Sequence, residues 1–341
     1  MEKILLGHGS GGKIMYSLIR DRLAPAFGMD TLNDSAIVEA AGCGRLAFTT
    51  DSYVVSPLFF PGGNIGDLAV FGTVNDLAVS GAEPVCISAG FIIEEGFSME
   101  QFEVIVSTMA DAAKRAGVRI VTGDTKVVDR GKGDGIFINT SGIGVLKDGI
   151  SFGPSMIKSG DRIIVSGSIG NHGVAVMAER NGLTFDPPVL SDTAPLNDLV
   201  QDMLDICKEI RMMRDPTRGG VATTLKEMAS ESGLCFSIDE RLLPVTGGVR
   251  GACELLGLDP LYIANEGILI AVVPPDVCDS MVAAMRSHSI ASGSVCIGEV
   301  LAPALFRTDP CPAPGTVMLK TAAGGTRVID MLAGEQLPRI C

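Results

Sequence analysis

Helical and strand patterns alternate along this sequence, and this alternation limits the possible folds more than any other feature. Ser98 and Gln101 form a capping box at the start of a predicted helix, and Gly117 ends it. The apolar residues of this helix recur at helical spacing: Phe102, Ile105, Val106, Met109, Ala112 and Ala113. Residues 118–122 follow directly as an apolar run typical of a strand. A helix leading straight into a strand predicts an α/β protein.

Further elements of both kinds occur along the whole chain. They are a helix from Asn64 towards Gly81, strands at 45–50, 162–165 and 268–273, and a helix at 219–232. The length of 341 residues corresponds to about two domains. A polar, glycine-rich stretch at 147–161 separates two halves of similar length. We predict domains at 1–150 and 151–330, with 331–341 as a mobile tail.

Composition excludes two classes of partner. The chain has 27 Lys and Arg against 40 Asp and Glu, and such an acidic protein is not expected to bind nucleic acid. Its apolar runs are much shorter than the ~20 residues of a membrane span, and its start lacks a signal-peptide core. We therefore expect a cytoplasmic protein without a membrane partner. The nine cysteines contain no CxxC pair, which fits reduced thiols better than a zinc ribbon.

Isolated acidic residues inside apolar sequence are the main chemical signal. Asp51 is the one charged residue of 46–66, after the predicted strand at 45–50, and Asp76 is the one charged residue of 68–82. A buried carboxylate is costly unless a cation compensates it. Three more aspartates stand beside glycines or turn formers: Asp34, Asp124 and Asp215. Oxygen ligands with few histidines indicate Mg²⁺, the alternative being acids that cap helices or accept from loop amides.

Two glycine loops are candidates for phosphate binding. The first runs from His8 through Gly11 and Gly12 to Lys13 and offers backbone amides beside one cation. It lacks Walker A spacing and a preceding strand, so a disordered N-terminus is the alternative interpretation. The second loop is 215–220, which contains Thr217, Arg218 and Gly219 and opens the predicted helix at 219–232. A helix N-terminus and a guanidinium converge there on an anion-binding geometry, with an ordinary capped loop as the alternative.

Three other residues, Lys126, Glu266 and Cys341, could take part in chemistry. Lys126 follows the predicted strand end at 118–122, where active-site groups of α/β proteins gather. Glu266 precedes the strand at 268–273, and either residue could instead be a solvated loop charge. His172 is expected to be structural or exposed and not catalytic. Cys341 is the last residue of the sequence, where a frayed, inactive thiol is the alternative reading.

These motifs resemble the HypE family of hydrogenase expression/formation proteins. The matching segments are HGSGGK, FTTDSYVVSPLFFPGG, GTVNDLA, IVTGDTKVV, RDPTRGG, CELLGLDPLYIANEG and the terminal PRIC. They cover the chain from residue 8 to residue 341. The glycine and aspartate motifs belong to the wider superfamily of aminoimidazole ribonucleotide synthetase and selenophosphate synthetase, whereas PRIC belongs to HypE. The NDSA segment at 33–36 is a slight variant of the superfamily motif.

The resemblance implies a PurM-like fold of two α/β domains, whose N-terminal domain forms a β-barrel across a homodimer. It also implies that ATP lies in the cleft between the domains. Carried over by motif, the Mg²⁺ ligands would be Asp34, Asp51, Asp76 and Asp215. The ATP contacts would be His8, Gly11, Gly12, Lys13, Asn75, Thr122, Gly123, Asp124, Thr217, Arg218 and Gly219.

The implied reaction is an ATP-dependent dehydration of a carbamoyl group on Cys341. The carbamoyltransferase HypF would load the thiol, and phosphorylation of the carbamoyl oxygen followed by loss of phosphate would leave a thiocyanate. Glu266 would be the base and Lys126 would stabilise charge at the oxygen. The cyanide would pass to iron on a HypC–HypD scaffold complex for a [NiFe]-hydrogenase.

Two alternatives remain from the sequence. Selenophosphate synthetase is a relative in the same superfamily, but a reactive cysteine is expected in its N-terminal glycine loop, where this chain has Gly11 and Gly12. A non-catalytic scaffold that displays a C-terminal peptide is the other alternative. ATP hydrolysis that depends on carbamoylated Cys341 separates an enzyme from a scaffold.

Overall fold

The computed structural model describes residues 12–27, 33–40, 44–303, 312–332, 337 and 339–341. His8 and Gly11, two of the predicted site residues, lie outside this part of the chain. It begins with α1 (Lys13–Leu18), a π-helical turn and α2 (Ala24–Phe27). Across the described ranges, no helix combines the length and apolar character that crossing a bilayer requires. The seven cysteines whose positions are described are free thiols.

A five-stranded sheet forms the first half of the fold. Its strands are β1 (Ala36–Ala40), β2 (Gly44–Tyr53), β5 (Ala82–Glu94), β6 (Arg119–Val128) and β7 (Ile136–Leu146). They lie in the order β1-β2-β7-β5-β6, antiparallel except for the parallel pair β5 and β6. β3 (Phe59–Phe60) and β4 (Gly63–Asn64) form a separate small hairpin.

Two helices accompany this sheet: α3 (Ile65–Val79) and α4 (Met99–Arg115). The predicted caps are confirmed, because Asn64 and Asp67 form a capping box on α3 and the Ser98 hydroxyl accepts from the amide of Gln101 on α4. α3 is apolar on nearly every side and buried almost throughout, as expected of a central helix. Asp76 therefore sits in the last turn of a helix that water hardly reaches.

A seven-stranded sheet forms the second half, in the order β14-β13-β10-β12-β8-β11-β9. Its strands are β8 (Arg162–Val165), β9 (Met212–Arg214), β10 (Cys235–Asp239), β11 (Ile270–Val273), β12 (Val295–Leu301), β13 (Val317–Lys320) and β14 (Thr326–Ile329). The α-helices of this half are α5 (Asn171–Asn181), α6 (Asn197–Ile206), α7 (Gly220–Ser232), α8 (Gly247–Leu256) and α9 (Cys278–Met285). Alternate residues of β8 and β11 enter two different apolar clusters, so this sheet has a core on each face.

Two strands are longer than the sequence pattern predicts. β6 continues through Val128, so Asp124 and Lys126 lie within the strand and not after its end. The strand end predicted at residue 122 is wrong, because Gly123 permits close approach of the neighbouring strand at a point where a Cβ would collide with the carbonyl oxygen of Ala89. β2 likewise continues through Tyr53, which places Asp51 inside a strand.

Strand register separates the predicted site residues between the two faces of the first sheet. Asp51, Thr140, Ala89 and Gly123 are successive cross-strand partners, so they share a row. Thr140 is buried and donates to the carbonyl oxygen of Ala69 on α3, so this row points to the helix-covered face. Because side chains alternate along a strand, Asp124 and Lys126, one and three positions after Gly123, point to the opposite, open face.

Candidate functional site

Three carboxylates converge where the two halves of the molecule meet. Asp34 precedes β1, Asp76 lies in the last turn of α3 and Asp215 follows β9, and one carboxylate oxygen of each lies within 4.8 Å of the others. The hydroxyl of Thr49 donates to Asp76 Oδ2 at 2.7 Å. Arg214 Nε lies 2.5 Å from Asp34 Oδ2. Three of the four predicted metal ligands are therefore brought together by segments far apart in sequence.

Burial makes this cluster electrostatically unfavourable without a compensating cation. Burial first, then the charges of Asp215, Asp51 and Asp34, raise the pKa of Asp76 well above its usual value. Burial and the charge of Asp34 raise the pKa of Asp215 to about 7. Oxygen atoms spaced this closely match the donor set that Mg²⁺ prefers, so the residues fit a divalent cation.

Asp51 is adjacent to this cluster but is not one of its three converging carboxylates. Its side chain accepts from the amide of Ser52 at 2.8 Å. Burial raises the pKa of Asp51, and the Arg218 guanidinium opposes that shift. The Asp51 charge in turn raises the pKa of both Asp76 and Asp215. Asp51 thus contributes negative charge to the same region.

Glu266 lies in a buried loop that leads to β11, and its position is fixed through its backbone. The amides of Glu266 and Gly267 donate to Asp192 Oδ2 at 3.1 and 3.0 Å. The Asn75 carboxamide donates to the carbonyl oxygen of Glu266 at 3.2 Å and to that of Ala194 at 3.0 Å. Burial, then the charges of Asp215 and Asp51, raise the pKa of Glu266 well above its usual value.

Cys341 is buried beside Glu266, so its resting position, which the sequence leaves open, is inside the protein. The amide of Val54 donates to the carbonyl oxygen of Cys341 at 3.1 Å, and Ile340 belongs to the first apolar core. Burial raises the pKa of the Cys341 thiol, and a hydrogen bond with Glu266 raises it further, whereas the Arg218 charge lowers it. The pKa of Arg218 is raised, first by Cys341 and next by Asp51, although burial opposes both. Sulfur, carboxyl and guanidinium therefore form one buried group.

The two glycine loops differ in their contacts and in their position relative to the acidic cluster. In the first, Gly12 is buried and Lys13 forms an exposed ion pair with Asp330 at 2.7 Å. In the second, the amide of Thr217 donates to the carbonyl oxygen of Asp215 at 3.0 Å. Gly219 has φ +81°, a left-handed conformation that favours glycine, and α7 begins at the next residue. The second loop therefore presents the N-terminus of a 13-residue helix close to the acidic cluster.

Four predicted residues lie on β6, away from this cluster. Thr122, Gly123, Asp124 and Lys126 are exposed, and Lys126 forms an ion pair with Asp124. Gly123 is three strand intervals from Asp51 along one row of the sheet, or about 14 Å at the usual strand spacing. Within one chain, the Lys126 amine is therefore not beside the buried sulfur.

The sequence pattern does not point to Asp192, Arg214 or Arg180 as residues of this site. It also does not point to the contact that His172 makes. The Arg180 Nη2 atom donates to the carbonyl oxygen of Arg339 at 2.8 Å. His172 Nε2 lies 2.8 Å from the carbonyl oxygen of Ile340. The GNHG segment was the available signal, since a histidine beside glycines at a helix start stands out in an apolar region.

Comparison with known proteins agrees with this architecture. Residues 32–146 match the family of AIR synthase related proteins, N-terminal domain, and residues 158–307 match the corresponding C-terminal domain. The fold and the site thus define an AIR synthase related protein.

More specific matches cover nearly the whole chain. Carbamoyl dehydratase HypE of Bradyrhizobium diazoefficiens is 50% identical over 98% of this chain and 95% of that protein. Carbamoyl dehydratase HypE of Escherichia coli is 44% identical over the full length of both. The solved structure of hydrogenase maturation protein HypE in complex with ATP has a TM-score of 0.84 and 44% identity, covering 99% of this chain and 100% of that one. That of a HypE–HypF complex has a TM-score of 0.85 and 45% identity, covering 93% and 100%. The chain belongs to the HypE family.

Proposed function

We propose that this chain is an ATP-dependent carbamoyl dehydratase of [NiFe]-hydrogenase maturation. Its substrate would be an S-carbamoyl group on its own Cys341, and its product an S-cyano group that supplies the cyanide ligand of the active-site iron. The observation that carries the proposal is the burial of Cys341 against Glu266 and Arg218, beside three converging carboxylates. The names of the relatives support the same reaction.

The dehydration divides into two steps that use different residues. The carbamoyl oxygen attacks the γ-phosphorus of ATP while the nitrogen loses one of its two protons, so that a C–O–P linkage forms, the bond from the γ-phosphorus to ADP breaks and ADP leaves. Loss of the remaining N–H proton then breaks the C–O bond, releases phosphate and leaves S–C≡N. Glu266 is the proposed base, because a buried carboxyl of raised pKa is a strong proton acceptor once ionised. Arg218 has the charge to stabilise the oxygen as negative charge develops.

Nucleotide binding is assigned to the cleft around the acidic cluster. Asp34, Asp76 and Asp215 would hold Mg²⁺, with Asp51 adding charge. When bound, the cation would neutralise the phosphate charge that develops during transfer. The Thr217–Gly219 loop would bind phosphate through the start of α7, together with the segment from His8 to Lys13.

A homodimer is proposed from the open face of the first sheet. Apolar side chains on it are exposed: Phe48 and Ile143 are cross-strand partners, and Val145 and Ile92 continue the patch. An open apolar sheet face of this kind marks a protein–protein contact. Lys126 and Asp124 share this face, so their proposed contacts with substrate and ATP would require the second copy.

The domain division at 1–150 and 151–330, with a tail at 331–341, is retained as part of the proposal. Partners follow from the reaction: a carbamoyltransferase of the HypF kind must load Cys341, and a HypC–HypD scaffold must accept the cyanide. The solved HypE–HypF complex supports the first of these.

The experiment is mass spectrometry of the C-terminal peptide after incubation with the carbamoyltransferase, carbamoyl phosphate and ATP. We expect a carbamoyl adduct without ATP and a cyano adduct with ATP. Cys341→Ala should give neither, whereas Cys253→Ala, which changes another buried cysteine, should give both. Cyano product from the Cys341→Ala protein on any other residue would refute the proposal.

A further inference from the structure

The last three residues lie alongside residues 54–56 and are joined to them by two backbone hydrogen bonds. The amide of Val54 donates to the carbonyl oxygen of Cys341 at 3.1 Å, and that of Ser56 donates to the carbonyl oxygen of Arg339 at 3.2 Å. The carbonyl oxygen of Ile340, which lies between these two carbonyls along the chain, accepts neither of these hydrogen bonds. Because Ile340 is buried, its carbonyl requires a donor from elsewhere in the protein.

His172 supplies this donor. Its ring is completely buried at the start of α5, and Nε2 lies 2.8 Å from the carbonyl oxygen of Ile340. Because a carbonyl oxygen can only accept, Nε2 carries the proton. Burial lowers the pKa of His172 to about 4, so the ring is neutral and Nδ1 accepts from the Ser191 hydroxyl at 2.9 Å. The Phe60 ring meets the imidazole edge to face, with centroids 5.3 Å apart.

Asp192, the residue after Ser191, holds the loop that contains Glu266. Asp192 Oδ2 accepts from the amides of Glu266 and Gly267, and the backbone amide of His172 is also among the groups that stabilise the Asp192 carboxylate. Gly267 is required at this contact, because a Cβ there would collide with the carbonyl oxygen of Asp192. Two consecutive residues thus connect the group that holds the tail to the loop that carries the proposed base.

We propose that His172, Ser191 and Asp192 form a positioning device that sets the Cys341 sulfur against the Glu266 carboxyl. His172 holds the tail through the carbonyl next to Cys341, Ser191 fixes the tautomer that can donate, and Asp192 fixes the Glu266 loop. None of the three touches the reacting atoms. The inference rests on the proposed function for its purpose, but the docking of the tail can be measured without the reaction.

The test compares two replacements of His172. His172→Gln keeps an N–H near the position of Nε2, whereas His172→Phe keeps a ring and removes the donor. In the nucleotide-free protein, alkylation of Cys341 by N-ethylmaleimide is followed by mass spectrometry of the C-terminal peptide. We expect His172→Phe to speed alkylation about tenfold, as for a loss of about 1.4 kcal/mol, and His172→Gln to stay near the wild-type rate.

Cys235 and Cys278 serve as controls inside the same molecule, because both are buried away from the tail. A general loss of stability would expose them together with Cys341, whereas loss of positioning would expose Cys341 alone. Should His172→Phe fail to fold, Ser191→Ala replaces it, since an unsupported Nδ1 should also speed alkylation of Cys341. Equal Cys341 rates in wild type, His172→Phe and Ser191→Ala, or a His172→Gln rate as high as that of His172→Phe, would overturn the inference.

Formation of the cyano adduct is then measured on the same variants. The rate should fall in His172→Phe and recover in His172→Gln, following the degree of Cys341 protection. If the wild-type protein forms no cyano adduct but the protection pattern holds, the proposed function fails and the positioning stands. If the adduct forms equally in all variants, the positioning role fails and the proposed function stands.

Discussion

In the absence of a divalent cation, the acidic cluster should destabilise the folded protein. Removing the charge of one of its carboxylates should therefore raise the free energy of unfolding. Asp215→Asn tests this directly, because the amide keeps the shape of the side chain and removes its charge. Asp215 is buried and its nearest charged neighbours include Asp34 and Arg214. We therefore expect a variant that is more stable and inactive, a combination typical of residues selected for function.

The magnitude follows from the raised pKa of Asp215, which burial and the charge of Asp34 move from 3.8 to about 7. Each pKa unit is worth about 1.4 kcal/mol, so a shift of about three units corresponds to about 4 kcal/mol. Between pH 4 and 7 the folded state binds the extra proton, so the free energy of unfolding falls as pH rises through this range and is constant above it. The Asp215→Asn variant has no such dependence, and its advantage should be about 2 kcal/mol at pH 5 and about 4 kcal/mol at pH 8.

The assay is denaturant unfolding of both proteins in EDTA at pH 5 and pH 8. Asp129→Asn, which changes an exposed aspartate, is the matched control and should alter neither value. In a second arm, Mg²⁺ with a non-hydrolysable ATP analogue at 100 times its Kd should stabilise the wild type by about 2.7 kcal/mol and Asp215→Asn by much less. A variant that is no more stable than wild type at pH 8, or whose advantage is equal at both pH values, would refute the electrostatic reasoning.

Three further predictions concern the chemistry and the assembly. Asp76→Asn should abolish ATP turnover while the circular dichroism spectrum is unchanged; normal turnover in a protein that melts early would make Asp76 structural. Glu266→Gln should accumulate the carbamoyl adduct and form little cyano product, by mass spectrometry, because the amide cannot accept the proton. Ile143→Asp should convert a dimer into a monomer in light scattering, whereas Leu255→Asp, at an exposed apolar residue of α8, should not; a wild-type monomer at micromolar concentration would contradict the proposed homodimer.

Much of this site could be predicted because its signals are local. Isolated charges such as Asp76 inside an apolar helix show in the sequence that something must compensate them, and the structure brings Asp76 to Asp34 and Asp215. The caps of α3 and α4 were equally visible, since an N-cap and its partner lie three residues apart. Each of these predictions depends on neighbours along the chain.

The features that could not be predicted depend on pairing between distant segments. β6 passes through Gly123 because β5 supplies a partner for nine of its residues, and no local pattern distinguishes that glycine from a turn. The face to which Lys126 points is likewise set by register across three strands. Asp192 stands in a polar loop with turn-forming neighbours, and its connection to Glu266 exists only after folding.

The docked tail also resisted prediction, because main-chain contacts hold much of it and these leave no sequence pattern. Four hydrogen bonds reach the carbonyl oxygens of residues 339–341, from Val54, Ser56, His172 and Arg180. At about 1 kcal/mol each, with about 2 kcal/mol for burying Ile340, they contribute about 6 kcal/mol. The Arg339 side chain adds a hydrogen bond to the carbonyl oxygen of Val54 and an ion pair with Asp134, and the cost of fixing this long side chain, about 2 kcal/mol, offsets these two contacts. Fixing three residues costs about 3–6 kcal/mol in backbone entropy, so docking and release are nearly balanced. A carrier cysteine that is loaded by one enzyme and dehydrated by another needs that balance, since a tightly bound tail could not leave the cleft to be carbamoylated again.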